Sequence, residues 1–268
     1  TVRHNYITMK WLKNLEDLKQ YVFANKERAY WNRKTALETR KPRDVYDEVC
    51  QLIADKLEES GFKYYPSKKK LELKSSDKKY KLSIIFSSNR NNVLGEFIEL
   101  NAAFYISSKD FETFSKNNPL LDYYTDLLIG ENFCLPILEK PGSITWNLAD
   151  KKDYNEVINL IPETVCNKLI DYFNWIQQPT LVIEEIQKNN FDFNRPVITI
   201  QYLLMYNKKK IAEKYLSIFL KNKSIKVREE YEQAKNYWDN NLLPSEYAQG
   251  MGYGKEIALL EKNYKLHI

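Results

Sequence analysis

The stretch KLELKSSDKKYKLSIIF, residues 70–86, decides how this chain folds. Leu71 and Leu73 alternate with Lys70, Glu72 and Lys74. After the polar run Ser75-Ser76-Asp77-Lys78, the same two-residue period resumes with Tyr80, Leu82, Ile84 and Phe86. A period of two puts successive side chains on opposite faces of an extended strand, so the stretch predicts an antiparallel hairpin with one apolar and one polar face. Downstream, Asn89 to Asn92 supplies a polar loop, and residues 97–106 repeat the pattern with Ile98, Leu100, Ala102, Phe104 and Ile106. Upstream the spacing changes. Val45, Val49, Ile53 and Leu57 recur every four residues beside Leu52, and Gly61 stands where a helix ends, which predicts a helix over 45–57. A meander with one apolar face needs such a cover. The expected class is therefore α+β, an antiparallel sheet of three to five strands packed on helices.

Outside this nucleus the pattern is mainly helical. Trp11, Leu12, Leu15, Leu18 and Val22 predict an amphipathic helix over 9–24, and Met9-Lys10-Trp11-Leu12 reads as a start of translation. Further helices are expected at 120–128, 163–175, 180–188, 197–206, 211–220, 227–238 and 256–264, with one short extended segment at 143–148. Pro119, Pro136, Pro141, Pro162 and Pro179 fall before or between apolar runs, as helix-start and loop prolines do. The expected organisation is an α+β domain over 1–190 and a helical extension over 191–268.

Composition narrows the class. No stretch of 18 apolar residues occurs and the first residues lack a signal-peptide apolar region, so the expectation is a cytoplasmic protein with no membrane contact. Cys50, Cys134 and Cys166 are odd in number and widely spaced, which reads as buried thiols in a reducing compartment rather than a disulfide framework. The net charge of +5 is unevenly spread. Residues 61–90 hold nine Lys or Arg against Glu72 and Asp77, residues 208–228 hold eight against Glu213, and the remainder sums to −9. That polarity suits an acidic protein partner or nucleic acid as readily as plain solvation.

One resemblance rests on specific residues. A helix running into Glu59-Ser60-Gly61-Phe62-Lys63, a basic strand, Leu82 to Ser88 ending Ser-Ser-Asn, and Phe97-Ile98-Glu99-Leu100-Asn101 together resemble the bacterial domain-of-unknown-function family DUF 4304. Phe173-Asn174-Trp175-Ile176, followed by Pro179 and Glu184-Glu185, is similar to a Trp-containing segment late in that family. The resemblance implies the α+β fold over roughly 45–190 and transfers no chemistry. Small bacterial proteins of this sort often serve as immunity or partner-binding proteins, so it points toward interaction by association.

Few residues are placed to carry chemistry. His4 and His267 are the two histidines, at opposite ends, which argues against triads that need an imidazole base and against tetrahedral zinc. Glu72-Leu73-Lys74, with Asp47 and Glu48 on the preceding helix, resembles half of a metal-dependent nuclease site, yet residues 61–70 contain no acid to complete it. No catalytic residue, metal or cofactor is therefore assigned. Gly250, Gly252, Gly254 and Lys255 form a glycine-rich turn before a helix expected from Glu256, a candidate anion cradle or a connector. The second sheet face would carry Lys81, Ser83 and Ile85 beside Phe97, Glu99, Asn101, Ala103 and Tyr105, either as a platform or under a later helix. Lys81, Glu99, Asn101 and Tyr105, with Lys208, Lys209 and Lys210, are the candidate interaction residues. The leading expectation is a non-enzymatic protein-interaction protein of immunity or defence type. Its alternatives are a nucleic-acid binder using 61–90 and 208–228, and a magnesium-dependent or nucleotide-using enzyme. Tyr80 and Phe86 share the apolar face, which weakens the stacking that single-stranded nucleic acid requires.

Overall fold

The structure is a computed structural model, and it describes residues 40–119, 125–132, 145–193, 195–239 and 252–268. The expected helix at 9–24, His4, Cys134 and Gly250 lie outside them. The first described element is α1, Pro42–Glu58. Pro42 sets its first turn, and Asp44 near the start and Lys56 near the end suit the helix dipole. It closes as the glycine predicted. Gly61 takes φ +84°, its N–H returns to the Glu58 carbonyl at 2.9 Å, and Phe62 N–H returns to that of Leu57 at 3.4 Å.

The hairpin forms with the apolar residues of both strands on one side, as the alternation predicts. Strand β2, Lys70–Lys74, pairs antiparallel with β3, Tyr80–Ser87, placing Leu71 opposite Ile84 and Leu73 opposite Leu82. Its turn is held by Ser75 and Asp77. The Ser75 hydroxyl donates to Asp77 Oδ1 at 2.6 Å and accepts from Tyr80 N at 2.9 Å, while Lys78 takes φ +59°. A short β1, Lys63–Tyr65, flanks β2 on the other side with Lys63 opposite Glu72 and Tyr65 opposite Lys70.

Beyond β3 lie β4, Glu99–Ser108, then β5, Leu127–Asn132, in the order β1-β2-β3-β4-β5, and β6, Trp146–Asn147, pairs with β4. The antiparallel sheet has six strands against the three to five expected, and the short extended segment expected at 143–148 contains β6. Leu127 and Leu128, expected to end a helix, are extended in β5, because a short apolar run satisfies either period. One sheet face is core: Leu71, Leu82, Ile84, Leu100, Phe104 and Ile106 are fully buried, as are Val45, Val49, Ile53 and Leu57 of α1. Each such side chain contributes roughly 1.5–3 kcal/mol.

Two helices flank the later strands: α2, Lys109–Asn117, precedes β5, and α3, Lys151–Thr164, follows β6, where periodicity announced only the last residues of α3. Asp150 caps α3 by accepting from Lys152 N at 2.7 Å. Pro162 lies inside α3 rather than at a helix start. The backbone answers with a π-helical turn, Val165–Leu169, before α4, Ile170–Ile176.

The remaining helices among the described residues are α5, Pro179–Gln187; α6, Pro196–Met205; α7, Lys209–Lys221; α8, Ile225–Asp239; and α9, Tyr253–Tyr264. These match the expected C-terminal helices within a few residues, and the helical C-terminal region is as anticipated. Every residue of α6 from Pro196 to Leu203 is buried, so it is the axis of its cluster. Its polar Gln201 is satisfied there, donating to Asn118 O at 3.2 Å and Tyr264 Oη at 2.7 Å. Two compact units emerge, residues 1–106 with 130–177 and residues 107–129 with 178–268. Among the described residues no helix is long and apolar enough to cross a membrane.

Candidate functional site

The outer face of β1–β3 carries the basic window. Pairing puts Lys63 and Tyr65 of β1, Lys70, Glu72 and Lys74 of β2, and Lys81, Ser83 and Ile85 of β3 on one side, the side opposite the buried leucines. Four lysines therefore surround one carboxylate. Glu72 is held by Lys70 at 2.7 Å. Burial pushes its carboxyl up, but the Lys70 ammonium, the Tyr65 hydroxyl and the field of Lys81 outweigh this and hold it below the usual carboxylate range. Lys63 and Lys70 each stand 5.3 Å from the centroid of the Tyr65 ring. Lys74 and Lys81 face each other directly across β2 and β3, a like-charge pairing that costs a few tenths of a kcal/mol or more in a sheet.

On β4 the same alternation leaves Glu99, Asn101, Ala103 and Tyr105 half-buried while Leu100, Ala102 and Phe104 are core. Asn101 Nδ2 donates to Glu99, and Thr145 Oγ1 donates to Asn101 Oδ1 at 2.8 Å, so three of these polar groups form one chain. Lys81 of β3 and Glu99, Asn101 and Tyr105 of β4 are each half-buried, alternating along their strands with core residues. Phe97 is not. It is buried at the root of the β3–β4 loop, where it bonds back to Val93.

Lys208, Lys209 and Lys210 lie in the second unit, exposed at the first turn of α7. That is the end of a helix dipole where cations are least favoured. The glycine cluster has a packing geometry. Gly252 precedes α9, which begins at Tyr253 rather than Glu256, so Gly254 and Lys255 are helical. Glu230 of α8 already accepts from Gly254 N at 3.1 Å, placing a carboxylate of the chain itself at this helix start. A Cβ on Gly254 would lie 2.3 Å from Val227 O and 2.7 Å from Tyr231 N, so glycine here lets two helix backbones meet.

The acids of the nuclease-like pattern are engaged separately: Asp47 by Lys69 at 2.7 Å, Glu48 by Arg40 and by Tyr154 Oη at 3.1 Å, and Glu72 by Lys70. Among the described residues no group of three or more metal-ligating side chains is gathered. Cys50 is fully buried, and burial pushes its thiol up to about 12, the hydrogen bond to Tyr46 and the charge of Lys69 lowering it only in part. Cys166 is exposed. Alkylation of the native protein at pH 8, resolved by peptide mass, is expected to modify Cys166 and spare Cys50 until the chain unfolds. Equal modification of both would contradict the burial.

Sequence reasoning missed Lys63 and Tyr65 as part of this face. A three-residue strand is too short to show alternation, and only its pairing with β2 reveals the side. Comparison with protein-family models, with curated proteins and with solved structures gives no match. The face and its charges define an α+β protein with a basic sheet surface.

Proposed function

We propose that this chain is a non-enzymatic interaction protein that binds an acidic segment of a protein partner on the outer face of β1–β3. The observation that carries this is the cross-strand pairing of Lys74 with Lys81 within a group of four lysines around Glu72. Folding alone disfavours like charges at directly opposed positions, and an anionic partner turns the same arrangement into an attraction. Nucleic acid is the second reading. Two observations weigh against it: Tyr80 and Phe86 are buried, and the Tyr65 ring is already engaged by two ammonium groups, which leaves little aromatic surface for bases to stack on. The immunity- or defence-type setting belongs to the same proposal and rests on the family resemblance.

The test is a pair of anisotropy titrations at low salt, with a labelled oligoglutamate peptide and a labelled oligo-dT of equal length. The peptide is expected to bind, and the combined substitution Lys63→Glu, Lys74→Glu and Lys81→Glu to weaken it by about tenfold or more. Binding of oligo-dT alone would favour the second reading, and binding of neither would overturn both.

A further inference from the structure

We infer that the tip between β3 and β4 anchors this contact, inserting Val93 and Leu94 into an apolar recess of the partner that is rimmed by carboxylates. The inference rests on the reading of the lysine face given above. Val93 is 45% exposed and Leu94 is 55% exposed, two adjacent aliphatic side chains left in water. Single exposed apolar residues are ordinary; here two adjacent aliphatic side chains stand exposed on a turn held by its own hydrogen bonds.

The turn is fixed. Val93 N–H donates to Phe97 O at 2.8 Å and Phe97 N–H to Val93 O at 2.9 Å, closing a three-residue loop in which Gly95 takes φ +74°. Asn92 ties this loop to the strands: its Nδ2 donates to Ser88 Oγ at 2.8 Å and its Oδ1 accepts from Glu99 N at 2.9 Å. Ser88 Oγ donates in turn to Glu99 O at 2.6 Å, and buried Phe97 roots the loop in the core. A tip ordered before binding loses little entropy on docking, so its apolar contact converts into affinity.

Charge selects the rim. Arg90 and Lys68 are exposed, Glu96 is the one acid between Asn89 and Phe97, and Phe86 N–H bonds to Lys69 O at 2.9 Å, which brings the lysine-rich turn before β2 to this end of the hairpin. Ile85 lies opposite Lys70, nine residues before Leu94, so tip and lysine face are separated by at most about 30 Å of extended chain. One acidic helix of about 20 residues spans that length. A lipid surface fits less well, because the tip offers two aliphatic side chains and none of the aromatic residues that interfaces favour.

The test compares two labelled 20-residue peptides with the same number of glutamates, one with leucines at helical spacing and one without. The leucine-bearing peptide is expected to bind about tenfold more tightly, equivalent to about 1.4 kcal/mol. The pair Val93→Ser and Leu94→Ser is expected to erase that difference while leaving the affinity of the leucine-free peptide unchanged. Equal binding of the two peptides, or a difference that survives the double substitution, overturns the anchor and leaves the lysine face standing. Binding of neither peptide overturns both readings. Self-association, or adsorption to phosphatidylserine vesicles, that the double substitution abolishes would also overturn it, by assigning the tip another occupant.

Discussion

Replacing Gly254 by alanine is expected to lower the stability of the protein by about 3 kcal/mol or more, the range of a forced core overpacking or strained backbone. The added methyl would meet backbone atoms, the Val227 carbonyl oxygen at 2.3 Å and the Tyr231 nitrogen at 2.7 Å, which cannot rotate away. Relief requires α8 and α9 to separate. Separation would strain the contacts that join them: Gly254 N to Glu230, Tyr231 Oη to Glu261 at 2.6 Å and Lys235 to Glu261 at 2.9 Å. Gly252→Ala is the informative contrast, since the nearest atoms to its new methyl are those of the Glu230 carboxyl, the movable end of a side chain. Urea unfolding should show a large loss for Gly254→Ala and a loss of about 1 kcal/mol or less for Gly252→Ala, the scale of one displaced hydrogen bond. Near-equal midpoints for the two variants would show that the close approach of the helices is wrong.

Asn147→Ala is expected to cost about 3–5 kcal/mol, from several buried polar groups left without partners at roughly 1–3 kcal/mol each. Asn147 is 1% exposed. Its Oδ1 accepts from Ile98 N at 2.8 Å and Ala149 N at 3.2 Å, and its Nδ2 donates to Glu96 O at 2.9 Å. Its own N–H donates to the buried Asp153 at 2.9 Å, linking β6 to the first turn of α3. One side chain thus substitutes for the ladder that a two-residue strand is too short to build. The loss should appear as a lowered unfolding midpoint with an unchanged urea dependence. A midpoint within about 0.5 kcal/mol of the unsubstituted protein, the range of an ordinary surface change, would contradict this role.

The parts of the fold that could be read from sequence are those where one face is buried and the other is wet. The β2–β3 hairpin, β4 and α1 follow that pattern, so period alone showed which of their sides is core. Strand β5 did not declare itself, because Leu127, Leu128 and Ile129 form an unbroken apolar run. Most of α3, residues 151–162, was hidden, because Pro162 reads as a boundary unless the π turn behind it is known. Distance in sequence hid the rest: nothing near Gly254 announces that Glu230 fills its helix start, and nothing near Lys63 announces that Glu72 lies opposite. The polar side of β4 was legible as Glu99, Asn101 and Tyr105, whereas the lysine group around Glu72 required the pairing of three strands.

Whether the outer face of β1–β3 receives an acidic protein segment can be read directly by backbone-amide NMR of the labelled protein titrated with an oligoglutamate peptide. Shift changes are expected to concentrate in Lys63–Tyr65, Lys70–Lys74 and residues 81–85, diminishing as salt screens the charges. Changes confined to the first turn of α7 around Lys208, Lys209 and Lys210, or no changes at low salt, would contradict binding at this face.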